Sequence, residues 1–517
     1  MPRRWLSLLP VAVLALAAAC ASQGVTPPPC SCNANVELMY DPRVPSTNVA
    51  LTMVGVYKHL QPRSPDGRQR FAILTHAMFD AYGLASGAHP TATRICVDGA
   101  DAVDPSEAVV YAAYTIMAAA YADEPPKLAL LHDLMRHYGY DAPVEGHVGA
   151  LAARAVMAKY NLRPEAIPYT PLNEPSDDAN ADCSRITIPD AWQPLCLQRV
   201  PGPPCSPQVI RFGGLFNSSL FSSGGTRTAV DAANDLEPPP TYEGALADLP
   251  FEGGENDFAD EHLAVLKGSA ELGDYEKSLA QVFGSSSSDR VARLAVKEAE
   301  ARNLTLGESA ALMFGVAAAI HDASAASTTA KYLTNAARSI SVLQCAYAGR
   351  NLTAWAGPYL GVRTFLNAGD TRWRSYWFTP GFPGFFSGHT AVAAAGLEVM
   401  ARVFGDDVPV SANCEMLGAG LSNVEPRVAV GGRGYIPGVT DVPNRGPATV
   451  GYSPANDTTL CWPTWSKLGE MVGDSRFYGG IHIPIDNSVG LTVGRDMGRR
   501  MFEYVQRVVN GTDGTDE

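Results

Sequence analysis

Beyond residue 24 the sequence lacks any further apolar run that reads as a bilayer span. Positive charge is also in deficit: 39 Lys and Arg stand against 53 Asp and Glu, a formal net charge of −14. The first lack predicts a soluble mature chain with no membrane span, since a spanning helix needs ~20 apolar residues. The second excludes nucleic acid as a general partner. It leaves room for a local cluster of arginine and lysine, because site chemistry works at shorter range than steering. Strand-like alternation is scarce. What is present is a globular composition, 46% hydrophobic and 18% charged over 517 residues. That length suffices for roughly two or three domains, or one large helical one.

Residues 1–24, MPRRWLSLLPVAVLALAAACASQG, join a basic start to a short apolar stretch and small residues at a cleavage point. The pattern is that of a secretory signal and predicts a secreted protein. LAAAC, ending at Cys20, faintly suggests a bacterial lipoprotein site, so a periplasmic or lipid-anchored protein is the alternative. Ten cysteines agree with an oxidising compartment. Losing Cys20 leaves an odd number, so at least one thiol is free or paired between chains. Asn217, Asn303, Asn351, Asn456 and Asn510 open glycosylation tripeptides, which makes a glycoprotein the expectation in a eukaryotic source.

Residues 25–66 read as an extended lead-in rich in proline and cysteine. From 67 to 255 lies an amino-terminal helical region: RQRFAILTHAMFDAYGLASGA, PSEAVVYAAYTIMAAAYAD, KLALLHDLMRHYG and VEGHVGALAARAVMAKYN repeat apolar residues at helical spacing. Its last part, from about 163, is a proline-rich irregular tract with Cys183, Cys196 and Cys205, suited to disulfides. From 256 to 517 a second helical domain is predicted, with helices over DEHLAVLKGSAELGDYEKSLAQVFG, SDRVARLAVKEAEARN, a capped helix opening at Thr305-Leu-Gly-Glu308, and others near 327–347, 388–404 and 488–509. The expected fold is all-α, packed helical bundles with long irregular loops. THAMFDAYGLAS and AAIHDASAAST resemble each other faintly, too briefly to establish a repeat.

Three stretches carry chemistry. In KYLTNAARS, Lys331 and Arg338 are seven residues apart, a spacing that puts both near one face of a helix with no acidic neighbour. Two cations on a helix otherwise fit for burial need an anion. In FFSGHT, Ser387 is a good N-cap before an alanine-rich helix. The first-turn N–H groups and the Gly388 backbone then form an anion cradle beside His389. In DSRFYGGIHIPIDNS, Arg476 and His482 flank a Gly-Gly turn, and Asp486 follows four after the histidine. Pro484 places His482 on a loop entering the last helix. A carboxylate there can hold one ring nitrogen protonated and leave the other as ligand or nucleophile. Together these groups suit a tetrahedral oxyanion, phosphate or a mimic of it.

Lys331 to Arg338, Ser387-Gly388-His389, and Ser475-Arg476 to His482 to Asp486 resemble the three-part signature of the vanadium-dependent haloperoxidase and type 2 phosphatidic acid phosphatase superfamily, in its soluble haloperoxidase-like branch. The resemblance covers roughly residues 305–505, and RFAILTHAMFDAYGLAS looks like the amino-terminal helices of larger members. It implies vanadate as cofactor, with phosphate as an alternative occupant. By that resemblance His482 coordinates the metal, Asp486 orients it, and Lys331, Arg338, Arg476, Ser387 and the Gly388 amide bind equatorial oxygens. His389 is the acid–base group for hydrogen peroxide, which oxidises halide for transfer to a small organic acceptor. Ser339 and Phe386 stand where the family usually has proline. Phe382 falls where chloroperoxidase-like members have phenylalanine, while Thr328 replaces their tryptophan, so the halide and its Phe382 pocket stay open.

The same residues would serve a secreted acid phosphatase, His482 attacking phosphorus and His389 protonating the leaving group. A non-catalytic extracellular protein of this fold is a third reading, which a lost catalytic residue would have favoured. Elsewhere, His76 and Asp80 read as satisfied core groups, His321-Asp322 as a helix end, and Cys30-Ser-Cys32 as disulfide partners, too tight for zinc.

Overall fold

The computed structural model describes residues 48–512, apart from 61–66, 141–144, 161–166, 197–210, 213–214, 216–217, 251–255, 359, 406 and 426–452. The signal stretch, most of the lead-in, Asn217 and cysteines 20, 30, 32 and 205 lie outside the described residues. The amino-terminal helices are α1 (Val49–Leu60), α2 (Gly67–Ser86), α3 (Pro105–Ala120), α4 (Pro125–His137) and α5 (Val148–Lys159). α1 corrects the expectation of an extended lead-in through residue 66; its buried Leu51, Met53, Val54 and Tyr57 make it part of the core.

After α5, β1 (Ile167–Pro168) pairs with β2 (Arg211–Phe212), and the short α6 (Ala229–Asn234) follows. Then come α7 (Asp257–Ala270), α8 (Asp274–Val282), α9 (Ser287–Ala301), α10 (Leu306–Thr334) and α11 (Ser339–Ala346). The single run DEHLAVLKGSAELGDYEKSLAQVFG divides into α7 and α8 because Gly273 starts a new helix, its N–H donating to Glu276 at 3.0 Å. The antiparallel pair β3 (Asn351–Trp355) and β4 (Val362–Leu366) precedes α12 (Gly388–Phe404). β5 (Cys414–Leu417) pairs with β6 (Thr458–Cys461), and α13 (Trp465–Tyr478) and α14 (Pro484–Val509) close the chain.

α10 is the axis of the core, packed against α2, α12 and α14. Thr305 and Glu308 cap it reciprocally, as the sequence pattern predicts. By length and composition α10 could cross a bilayer, contrary to the sequence reading; 94% of its apolar window is buried inside the protein. A helix apolar on all sides is a core helix when other helices surround it. His321 and Asp322 sit in its middle, not at its end, and Asp322 accepts from the Phe221 and Ser222 amides at 2.9 Å. Asp80 similarly accepts from Ala92 and Thr93 and is satisfied in the core as expected, whereas His76, stacked on Phe314, keeps both ring nitrogens without a hydrogen bond among the described residues.

α12 and α14 pack backbone to backbone through Gly490, Gly494 and Gly498. A Cβ on these would stand 2.8, 2.3 and 2.4 Å from the carbonyl oxygens of Ser387, Ala391 and Ala395. This close seam brings the amino-terminal ends of both helices, where the chemistry-bearing residues cluster, into contact. The Ser387 amide donates to the Asp486 carbonyl at 2.9 Å across it.

Candidate active site

Lys331 and Arg338 do not share a helix face. α10 ends at Thr334, Asn335 turns left-handed with φ 50°, and Arg338 is the N-cap residue of α11. The irregular tract stabilises this break. Trp192 N donates to Asn335 O, Ala337 N to Asp190 O, each at 2.8 Å, and a Cys183–Cys345 disulfide ties the tract to α11. The two cations therefore converge from different elements, Lys331 from the last turn of a helix and Arg338 from the start of the next.

Lys331 is buried, and its ammonium donates to the carbonyls of Gly384 and Phe386. Arg338 donates through Nε to Phe382 O at 3.0 Å and through Nη1 to Ile481 O. The half-exposed Phe382 ring lies 5.6 Å from the Lys331 ammonium and 5.3 Å from the Arg338 guanidinium. It therefore stands at the edge of this cluster. Thr328, one turn before Lys331, spends its hydroxyl on Ser324 O and offers the site no ring.

His482 lies on the loop before α14, whose first residue is Pro484. Its Nδ1 meets Asp486 Oδ2 at 2.7 Å and its Nε2 meets Arg338 Nη1 at 3.2 Å. A guanidinium can only donate. Nε2 is therefore the acceptor, and the proton sits on Nδ1, held by the carboxylate. Burial first, then the charges of Arg338, Lys331 and Arg476, push the His482 pKa well below its ordinary value. Burial raises the Asp486 carboxyl to about 6 against the pull of Lys331 and Arg338. At neutral pH the pair is a carboxylate beside a neutral imidazole with one nitrogen lone pair turned inward.

Ser387 caps α12, accepting from Thr390 N at 3.4 Å, as expected of it. Gly388 also lies close to α10: a Cβ there would stand 2.5 Å from Ser327 Oγ. His389 Nε2 lies 2.7 Å from Phe283 O, to which Arg476 Nη1 also donates at 3.3 Å. A carbonyl only accepts, so Nε2 carries a proton and Nδ1 of the neutral ring is the lone-pair nitrogen. Burial and the neighbouring Arg476, with Arg68 and Arg290, hold this histidine well below its usual pKa. The Phe283 carbonyl and Arg68 were missed from sequence; a main-chain oxygen and an arginine in an ordinary helical run carry no pattern.

Burial lowers Lys331, Arg338 and Arg476, Arg338 to about 10 and Arg476 to about 9. Among the described residues, Asp486 is the carboxylate that raises Lys331 and Arg338. Arg338 Nη2 and Arg476 Nε are buried with no hydrogen-bond partner among the described residues. Buried cationic donors left open cost free energy unless an acceptor meets them. A tetrahedral oxyanion supplies that acceptor and the missing negative charge, so the residues present fit vanadate or phosphate.

Residues 311–511 match the family described as "VCPO second helical-bundle domain". No curated protein matches the sequence. Among solved structures, a holo-type bacterial vanadium-dependent chloroperoxidase superposes with a TM-score of 0.65 at 19% identity, covering 87% of this chain and 93% of that one. The apo-type bacterial vanadium-dependent chloroperoxidase gives 0.66 at 18%, covering 87% and 96%. A bacterial vanadium-dependent iodoperoxidase gives 0.55 at 16%, covering 88% and 94%.

Proposed function

We propose that this chain, built on the fold of the vanadium haloperoxidase superfamily, is a secreted vanadate-dependent peroxidase that uses hydrogen peroxide to oxidise halide. The observation that carries this is the set of buried cations, Lys331, Arg338 and Arg476, converging with open donors on a histidine whose Nε2 lone pair faces inward. The Cys183–Cys345 disulfide supports an oxidising compartment.

When bound, vanadate would supply a Lewis-acidic centre that activates peroxide without changing oxidation state. His482 would hold it through Nε2, with Asp486 keeping the Nδ1 proton and the ring orientation. Lys331, Arg338 and Arg476 would bind its oxygens and draw electron density from them. Ser387 and the Gly388 amide would add neutral donors at the start of α12. His389, with Nε2–H committed to Phe283 O, would exchange protons with peroxide at Nδ1. Phe382 borders the cations and would face the halide and the organic acceptor.

The same Nε2 lone pair could attack phosphorus, which keeps acid phosphatase as the second reading. One comparison separates them. Metal-free protein is incubated with orthovanadate and assayed for peroxide-dependent halogenation of a phenol, beside phosphate-ester hydrolysis without vanadate. Halogenation that requires orthovanadate is expected. Brisk ester turnover with no halogenation would replace the peroxidase reading by the phosphatase one.

A further inference from the structure

Two consecutive residues of α7 grip two different walls of the site. Glu261 accepts from the Ile485 amide at 2.8 Å, in the first turn of α14 and next to Asp486. His262, 1% exposed, meets Ser339 Oγ through Nδ1 at 3.0 Å, directly after Arg338. Successive residues on a helix point about 100° apart, so this neighbouring pair can reach α11 and α14 at once from one helix.

Both walls need the support. The first N–H groups of a helix have no partner within it. α14 has Ile483 as N-cap residue and no side-chain cap of its own. At α11 the N-cap residue is Arg338, whose side chain gives no cap bond and is turned to Phe382 O, Ile481 O and His482. Glu261 meets an open amide of the first helix from 224 residues away, and His262 holds the first residue of the second from 77 away. Arg338 and His482, 144 residues apart in the chain, sit 3.2 Å apart between these anchors.

We propose that Glu261 and His262 are positioning residues: together they fix the separation of Arg338 and His482 and thereby the affinity of the site for a tetrahedral oxyanion. This rests on the anion-site reading above. Neither residue acts by charge alone. Burial takes His262 down to about 3, leaving it neutral. Burial, with Asp486, Asp257 and Asp260 nearby, raises the Glu261 carboxyl to about 7. A neutral acceptor at position 261 should therefore serve as well.

The test uses Glu261→Met, which keeps bulk without an acceptor, and Glu261→Gln, which keeps the acceptor. Orthovanadate and inorganic phosphate affinities are measured by titration, and backbone hydrogen exchange over residues 481–488 is measured without any anion. Glu261→Met should weaken orthovanadate roughly tenfold and speed exchange, while Glu261→Gln stays near the parent. Parent-like binding and exchange in Glu261→Met overturns its role. If the parent binds neither anion, the anion-site reading fails and exchange alone decides the clamp.

His262→Ala tests the other half. Ser339 opens α11, and Arg338 at φ −104° and ψ 144° is already in the region that a following proline demands. Adding Ser339→Pro to His262→Ala should therefore stiffen the same junction and recover most of the lost affinity. No recovery would reduce His262 to a core residue without a positioning role.

Discussion

Arg338 Nη1 donates to His482 Nε2 at 3.2 Å, joining residues that lie in different elements 144 positions apart. The bond puts a donor of the guanidinium beside the acceptor nitrogen of the imidazole, the two groups that would hold an oxyanion. Most of what can be tested about this protein follows from that pair and its supports.

Removing the imidazole should remove the site. His482→Ala is expected to abolish orthovanadate binding and both halogenation and ester turnover, with folding retained. Asp486→Asn leaves a side chain in place of the carboxylate that holds Nδ1–H, and should weaken binding by roughly 10- to 100-fold. Titration with orthovanadate reads both, and parent-like binding by His482→Ala would remove that residue from its role.

Arg338 works as a fork, with Nε on Phe382 O, Nη1 on Ile481 O and His482, and Nη2 open. A lysine is a point donor and cannot reproduce that geometry. Arg338→Lys should therefore lose about 1.5–3 kcal/mol of anion binding, the range for hydrogen bonds to charged groups. Equal orthovanadate affinity in the two proteins would show that charge alone suffices.

The histidine on α7 makes stability depend on pH. His262 falls from its ordinary 6.5 to about 3 when folded. Between those values the unfolded chain binds a proton that the folded one refuses, so its contribution is complete above about 6.5 and is lost as pH falls toward 3. Asp486, raised to about 6, and Glu261, raised to about 7, act in the opposite sense. Urea midpoints at pH 7 and pH 5 should fall less in His262→Phe than in the parent; an equal fall would mean that His262 does not govern the acid limb.

The seam between α12 and α14 is intolerant of side chains. A Cβ at Gly494 would stand 2.3 Å from the Ala391 carbonyl oxygen, a backbone atom with little freedom to yield. Gly494→Ala should cost about 1–3 kcal/mol and, by spreading the helix starts, weaken orthovanadate as well. Thermal unfolding and anion titration of the same sample test both, and an unchanged Tm would show that the seam relaxes.

The candidate site was legible as types and spacings but not as a geometry. The His482–Asp486 contact was readable because four residues across a Pro484 helix start leave little choice. The Ser387 cap was equally local. Lys331 and Arg338 were read on one helix face because their spacing permits it. The left-handed Asn335 break depends instead on bonds from Asp190 and Trp192, which a local pattern does not contain. The same holds for α1: its apolar residues read as irregular until a core existed for them to join.

Sequence by itself determined the helical class and the caps of α10 and α12, because those depend on neighbours within a turn or two. Tertiary structure decided how the cations meet, which His482 nitrogen accepts and which donates, and why Gly494 has no room for a Cβ. Each of those outcomes needs partners far along the chain, brought together only when the apolar α10 is surrounded and the glycine seam closes.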